Sequence, residues 1–235
     1  MANRINIEQV LFLDIETVPA WAEYSSVPEP FLRLWDKKAG FICKEGETPE
    51  MIYDRAGIYA EFGKIICISS GFFKNGAFRI KSYYGDEEKE LLEGFANLLN
   101  DHYNRDDRFL CAHNGKEFDF PYISRRMLVN GIDLPEILNM GGKKPWEVPY
   151  LDTMEMWRFG DYKQYTSLEL LTTLFGIPTP KDDISGADIH RVYWQDHDLE
   201  RIVKYCQKDV LAIAQLFLKY KNNPLIEEEQ VFIVS

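Results

Sequence analysis

The chain has 235 residues, 46% hydrophobic and 28% charged, the composition of a globular protein with room for one α/β domain or a domain carrying a long insertion. Its net charge of −11 excludes a tight nonspecific duplex binder, which needs many Lys and Arg on phosphates, but not a site whose carboxylates gather cations. No apolar run approaches the roughly 18–20 residues that cross a bilayer, the start lacks a signal pattern, and Cys43, Cys67, Cys111 and Cys206 show no metal-ligand spacing, so a reduced, cytoplasmic chain without membrane contact is expected.

Val10-Leu11-Phe12-Leu13 is a continuous apolar run ending on Asp14, the pattern of a central strand buried on both faces. Residues 20–63 then interrupt the order with Trp21, Pro28, Pro30, Trp35 and many charges. Their aromatics want burial, so an ordered insertion is expected rather than a linker. Ile65 to Phe73 reads as a second strand. Asn75-Gly76 follows as a hairpin turn, because both positions tolerate positive φ, and Phe78 and Ile80 alternate with Arg79 and Lys81 in a strand with one wet face. Asp86 is placed to cap a helix with Glu87 and Glu88 in its first turn and Leu91, Leu92, Phe95, Leu98 and Leu99 on its apolar stripe. Phe109 to Ala112 is a short strand, and a helix is expected from about Asp119 to Asn130-Gly131. A short apolar strand ends at Asp152. Thr166 and Glu169 have capping-box spacing before a helix that stops at Gly176 and Pro178. A last long helix runs from about Asp198 to Lys221, with Ile202, Cys206, Val210, Ile213 and Phe217 on one stripe. The tail from Ile226 is acidic and then apolar, with no role assigned from its pattern.

Three places along this order carry chemistry. Asp14-Ile15-Glu16-Thr17 ends the first strand, and strand period two points Asp14 and Glu16 to one face. Two such carboxylates beside a core need a cation or a proton, unless the strand end is exposed and both are merely solvated. His113-Asn114-Gly115-Lys116-Glu117-Phe118-Asp119 runs from a strand end through a turn to a helix start. Taken alone, Asp119 is also an ordinary N-terminal cap. Tyr205-Cys206-Gln207-Lys208-Asp209 sets Tyr205 and Asp209 one above the other on a helix, about 100° round from apolar Cys206 and Val210.

Together and in this order, DIET, NGxxFD and YxxxD resemble the DEDD superfamily of 3′–5′ exonucleases. More closely, the sequence resembles stand-alone bacterial proteins related to the proofreading domain of family-B DNA polymerases. The resemblance covers nearly the whole chain, including Ala60-Glu-Phe-Gly-Lys-Ile-Ile, Trp146 to Trp157 and the stretch from Asp183. It implies a ribonuclease H-like α/β fold, with a mixed five-stranded sheet flanked by helices, an insertion after the first strand, and one exonuclease domain over residues 1–235. Carried over by motif, Asp14, Glu16, Asp119 and Asp209 would hold two divalent cations. Hard oxygen ligands favour Mg²⁺ or Mn²⁺ over zinc. Asp14 would bridge both, Glu16 and Asp209 would complete the site of the attacking water, and Asp119 would serve the second cation. Tyr205 would orient the water; a sister subclass has His one residue earlier, where this chain has Lys204.

Secondary candidates follow from the same places. Asn114 is expected to support the site by hydrogen bonding, and Thr17 to meet the terminal nucleotide through its backbone. Asp152 reads as a support for the site or as a plain cap. Phe118, Trp146, Trp157 and Phe159 are candidate stacking faces, with core packing the alternative; His113 reads as structural. The expected activity is hydrolysis from the 3′ end of single-stranded nucleic acid, DNA in the first instance, releasing nucleoside 5′-monophosphates. An exoribonuclease of the same fold is the nearest alternative. A catalytically silent nucleic-acid- or polymerase-binding module is expected to have lost a carboxylate, and none is missing. Proofreading or repair beside a polymerase or repair partner is the implied setting, acting in trans because 235 residues leave no room for a polymerase domain.

Overall fold

The structure is a computed structural model that describes residues 5–144, 147–148, 150–161, 165–178 and 184–234. Its frame is a six-stranded mixed sheet in the order β5-β4-β1-β2-β3-β6. β1 (Val10–Pro19), β2 (Gly63–Lys74) and β3 (Ala77–Tyr84) run antiparallel in succession. β4 (Phe109–Ala112) and β5 (Leu151–Asp152) extend the sheet in parallel beyond β1. β2 and β3 are joined at Asn75 and Gly76, which take φ of 54° and 76°, as a tight hairpin turn requires. Seven helices are described: α1 (Glu29–Ala39), α2 (Glu88–His102), α3 (Asp119–Val129), α4 (Thr153–Arg158), α5 (Leu168–Leu174), α6 (Ile189–Trp194) and α7 (Leu199–Tyr220).

β1 is sandwiched because its side chains alternate between two cores. Leu11, Leu13 and Ile15 pack with Leu92, Phe95 and Leu99 of α2 and with Phe120, Ile123 and Met127 of α3. Val10 and Phe12 point the other way, onto Val210, Ile213, Ala214 and Phe217 of α7. Each large apolar side chain so buried contributes roughly 1.5–3 kcal/mol, so β1 is firmly seated between the two helical layers. A Cβ on Gly71 of β2 would collide with Phe78 and Val210, and its absence lets α7 lie close on the sheet. Period two then settles the direction of the strand's acids: Asp14 and Glu16 continue the row of Phe12 and face α7.

The sixth strand, one more than expected, is the C-terminal tail. β6 (Val231–Val234) pairs in parallel with β3. Gln215 of α7 anchors the returning chain, donating to Ile226 O at 2.8 Å and accepting from Ile226 N at 2.9 Å. The stretch between β1 and β2 ends at residue 62 and is ordered: it carries α1 and a 3-10 turn at Tyr53–Ile58. Trp35 is fully buried there against Tyr53 and Phe62, and its Nε1 donates to Pro49 O at 2.9 Å.

Two helix starts differ from expectation. α2 begins at Glu88 with Glu87 in the cap position, while Asp86 accepts from the Tyr193 hydroxyl at 2.7 Å. Buried Glu88 accepts from Ile65 N, Arg126 and Asn130, so bonds from distant elements fix this end. α5 is capped by Ser167, whose side chain accepts from Leu170 N, in place of the Thr166–Glu169 pair. α3 and α7 start where expected, at Asp119 and after the Asp198 cap. Among the described residues no helix is long and apolar enough to cross a membrane, and all four cysteines are free thiols.

Candidate active site

The end of β1, the turn into α3 and the middle of α7 meet at a cleft of about 870 Å³. Asp14, Glu16, Asn114, Phe118, Asp119, Tyr205 and Asp209 all line it. On β1, Asp14 lies opposite Ser69 and Glu16 opposite Cys67, and the register slips between Glu16 and Thr17. A bulge at that point bends the strand just past its two acids. The Thr17 side chain bonds to the Tyr122 hydroxyl, and Thr17 is not among the described residues lining the cleft.

The turn into α3 is tight. Asn114 takes φ of 61°, and a Cβ on Gly115 would collide with Ala112. This delivers Asp119 as the first residue of α3, 3% exposed. Its carboxylate accepts from its own backbone N–H and from that of Ile15, which lies between Asp14 and Glu16. Asp152 holds the turn from behind. It accepts from the backbone N–H groups of Asn114 at 3.0 Å, Lys116 at 3.1 Å, Met154 at 2.9 Å and Glu155 at 3.2 Å. Buried and fully occupied, Asp152 caps α4 and clamps the turn, and does not face the cleft as a substrate-binding residue would. His113 is held between Thr153 Oγ1 at 2.9 Å and Thr166 O at 2.8 Å.

On α7 the Tyr205 hydroxyl bonds to Asp209, and between them Cys206 sets its Sγ 3.4 Å from both Asp14 O and Asp14 Oδ2. The helix face carrying Tyr205 and Asp209 is thereby tied to the strand end carrying Asp14 and Glu16.

Residues 58–228 match the family described as "Predicted 3'-5' exonuclease related to the exonuclease domain of PolB". The chain belongs to this PolB-exonuclease-related family. Asp119, Tyr205 and Asp209 fall inside the matched stretch, whereas Asp14 and Glu16 precede it and join the site through the fold. The sequence is 26% identical over 224 residues to a DNA polymerase of Desulfurococcus sp. (strain Tok), covering 84% of this chain and 28% of that protein. To a DNA polymerase of Thermococcus hydrothermalis it is 24% identical over 213 residues, covering 80% and 12%. The family B DNA polymerase of the hyperthermophilic archaeon Pyrobaculum calidifontis matches 89% of this chain and 24% of its own, with a TM-score of 0.51 at 16% identity. That likeness shows the fold, which is ribonuclease H-like. The chain spans between 12% and 28% of the length of these polymerases.

In this member of the PolB-exonuclease-related family the acids strain against one another. Burial holds the Asp14 carboxyl well above the ordinary carboxylate range, and the charges of Asp209 and Asp119 lift it further. Glu16, 7% exposed, is raised by burial, then by Asp14 and Asp209. Asp119 is raised to about 7, chiefly by burial, against the pull of its two backbone hydrogen bonds. The neighbouring charges that act most on Asp14 and Glu16 are those of other acidic groups. Buried carboxylates so arranged ionise together only with a cation among them. Carboxylate oxygens of Asp14 and Glu16 come within 4.8 Å of each other and of Cys206 Sγ, which suits a shared ion. Asn114 lines the same cleft, and its Oδ1 is buried with no hydrogen-bond partner among the described residues. The Tyr205 phenol is pushed far up by burial, then by Asp209, Glu16 and Asp14, which makes it a neutral donor.

Several features were not foreseen. Tyr165, 67% exposed, lines the cleft from the segment before α5, and its phenol is raised by burial and by the charges of Asp119, Asp14 and Asp209. No local pattern marks it. Lys208 is the one Lys or Arg lining the cleft among the described residues. Of the aromatic candidates, Phe118 lines the cleft and packs on Tyr122 at 5.4 Å, whereas Trp157 packs edge-on against Phe175 at 5.8 Å. Phe159 neither packs in the core nor lines the cleft; it is 91% exposed in a left-handed conformation. Trp146 and Asp183 lie outside the described residues.

Proposed function

We propose that the chain is a metal-dependent 3′–5′ exonuclease that removes nucleoside 5′-monophosphates from the 3′ end of single-stranded DNA. The observation that carries this reading is the convergence of Asp14, Glu16, Asp119 and Asp209 beside Tyr205 in one cleft. These four carboxylates would hold two divalent cations, Mg²⁺ or Mn²⁺, because hard oxygen donors suit those ions. When bound, the cations supply Lewis-acid activation of water and stabilise the attacking and leaving oxygens of an in-line displacement.

The chain's own residues position the reactants. Tyr205, neutral and already bonded to Asp209, orients the attacking water and does not abstract its proton, because its phenol is held far above neutral pH. Asn114, which lines the cleft, would support the site by hydrogen bonding. Phe118 and Tyr165 offer ring faces to its base, each worth roughly 1–3 kcal/mol when a base stacks on it. DNA is favoured over RNA because the similar proteins are DNA polymerases.

The test is digestion of 5′-labelled single-stranded DNA and RNA with Mn²⁺, Mg²⁺ or EDTA, followed on a gel. A DNA ladder that shortens one nucleotide at a time with metal, and no cleavage in EDTA, is expected. Faster digestion of RNA would make the chain an exoribonuclease, and metal-independent inertness toward both would leave a binding module.

A further inference from the structure

A second groove, of about 470 Å³, adjoins the cleft; Ile184, Tyr205 and Lys208 line both. Its long wall is α7, where Arg201, Lys204 and Lys208 recur at i, i+3 and i+7 and so share one helix face. Ile80 of β3 and Val231 and Ile233 of β6 form the facing wall, and Leu211 adds apolar surface from the helix. Among the described residues lining it, Asp198 is the one acid beside Arg201, Lys204 and Lys208, in a chain of net charge −11.

An exposed helix face often carries solvated cations with no further job. Here the row is continuous with a cleft whose carboxylates repel any phosphodiester chain, and Lys208 is where the two meet. From Arg201 to Lys208 the helix rises roughly 10 Å, about the length of three stacked nucleotides.

We propose that this groove is the track for the nucleotides on the 5′ side of the terminal one. Arg201, Lys204 and Lys208 meet the phosphates, and the bases lie against Leu211 and Ile233. The C-terminal strand thus acts as a wall of the substrate path. The inference rests on the exonuclease reading of the cleft and extends it to strand length.

The test is the affinity of 5′-labelled DNA strands of 12 and 2 nucleotides, read by fluorescence anisotropy with Mn²⁺ at rising salt, in an Asp14→Asn background so that the strand is not consumed. Lys204→Ala is expected to weaken 12-nucleotide binding several-fold and to lower its log–log salt slope by about 0.7, the contribution of one cation on single-stranded nucleic acid. Ile233→Glu changes an exposed position on the facing wall, so it tests the groove without altering the helix. It is expected to cut the preference for the longer strand in the same direction. Unchanged 12-nucleotide affinity and salt slope in both variants would overturn the track. Digestion of DNA by the wild type judges the exonuclease reading separately: a chain that digests DNA while both variants bind as before refutes the track alone.

Discussion

The Tyr205 hydroxyl is hydrogen-bonded to Asp209, one helical turn further along α7. The bond sets a neutral phenol donor beside a carboxylate that, on the proposed reading, would hold a cation. Tyr205→Phe is expected to lower the single-turnover rate on the order of 100-fold while leaving Mn²⁺ affinity nearly intact. Asp209→Ala is expected to impair both. Rapid-quench rates beside calorimetric Mn²⁺ titration read the two effects apart, and an unchanged rate for Tyr205→Phe refutes its role.

Asp14 sits at the centre of the repulsion, raised by burial, Asp209 and Asp119. Asp14→Asn keeps the side-chain shape and removes one charge. In EDTA this variant is expected to melt a few degrees above wild type, the scale of roughly 1 kcal/mol in a chain of this size. With excess Mn²⁺ it is expected to gain less than wild type, because ligand stabilisation follows affinity for the native state. Melting curves with EDTA and with Mn²⁺ check both. A lower melting point than wild type in EDTA would mean that Asp14 has a structural bond outweighing the repulsion.

The raised carboxyls also set a pH dependence for the metal-free chain. Asp119 titrates at about 7 when folded, against about 3.9 in an unfolded chain. Between those values the unfolded state releases its proton while the folded state keeps it, so the stabilising contribution present at low pH is lost as pH rises toward 7. Asp14 and Glu16 are raised in the same direction and add to the loss. Asp119→Asn removes one share. Its melting temperature in EDTA, measured relative to wild type, is expected to climb between pH 5 and pH 8, and the climb should flatten with Mn²⁺. A flat difference in EDTA contradicts the raised carboxyl.

Asp152 holds four backbone donors that no other side chain reaches among the described residues. Asp152→Ala strands those N–H groups and is expected to cost about 2–4 kcal/mol in denaturant unfolding. Asp152→Asn keeps an oxygen at the Oδ1 position, which serves Asn114, Met154 and Glu155, and is expected to cost less. Equal losses would show that the clamp depends on charge and not on the acceptor.

Local periods made the parts readable, while their union into one carboxylate set came from the resemblance of DIET, NGxxFD and YxxxD taken together and in order. Strand alternation pairs Asp14 with Glu16, helix period pairs Tyr205 with Asp209, and a turn before an apolar helix marks Asp119. What stayed hidden depends on distant partners. Cys206 meets Asp14 across 192 positions, and Asp86 leaves the helix cap for Tyr193 across 107. The C-terminal strand is placed by Gln215 and by pairing with β3, neither visible in its own four residues. Asp152 was open between cap and support because it is both, for two different backbone segments. The family match begins at residue 58, so Asp14 and Glu16 lie outside it; the resemblance of the three motifs joined them to Asp119 and Asp209, and the fold brings them to the same cleft.

The central claim is that the four carboxylates form one cation-dependent site that acts at a free 3′ end. The most direct measurement follows 5′-labelled linear single strands and circular strands of equal sequence with Mn²⁺ and with EDTA. Stepwise shortening of the linear strand with Mn²⁺, an intact circle over the same period, and no reaction of either in EDTA is the predicted result. Equal cleavage of circle and linear strand, or full activity in EDTA, would contradict it.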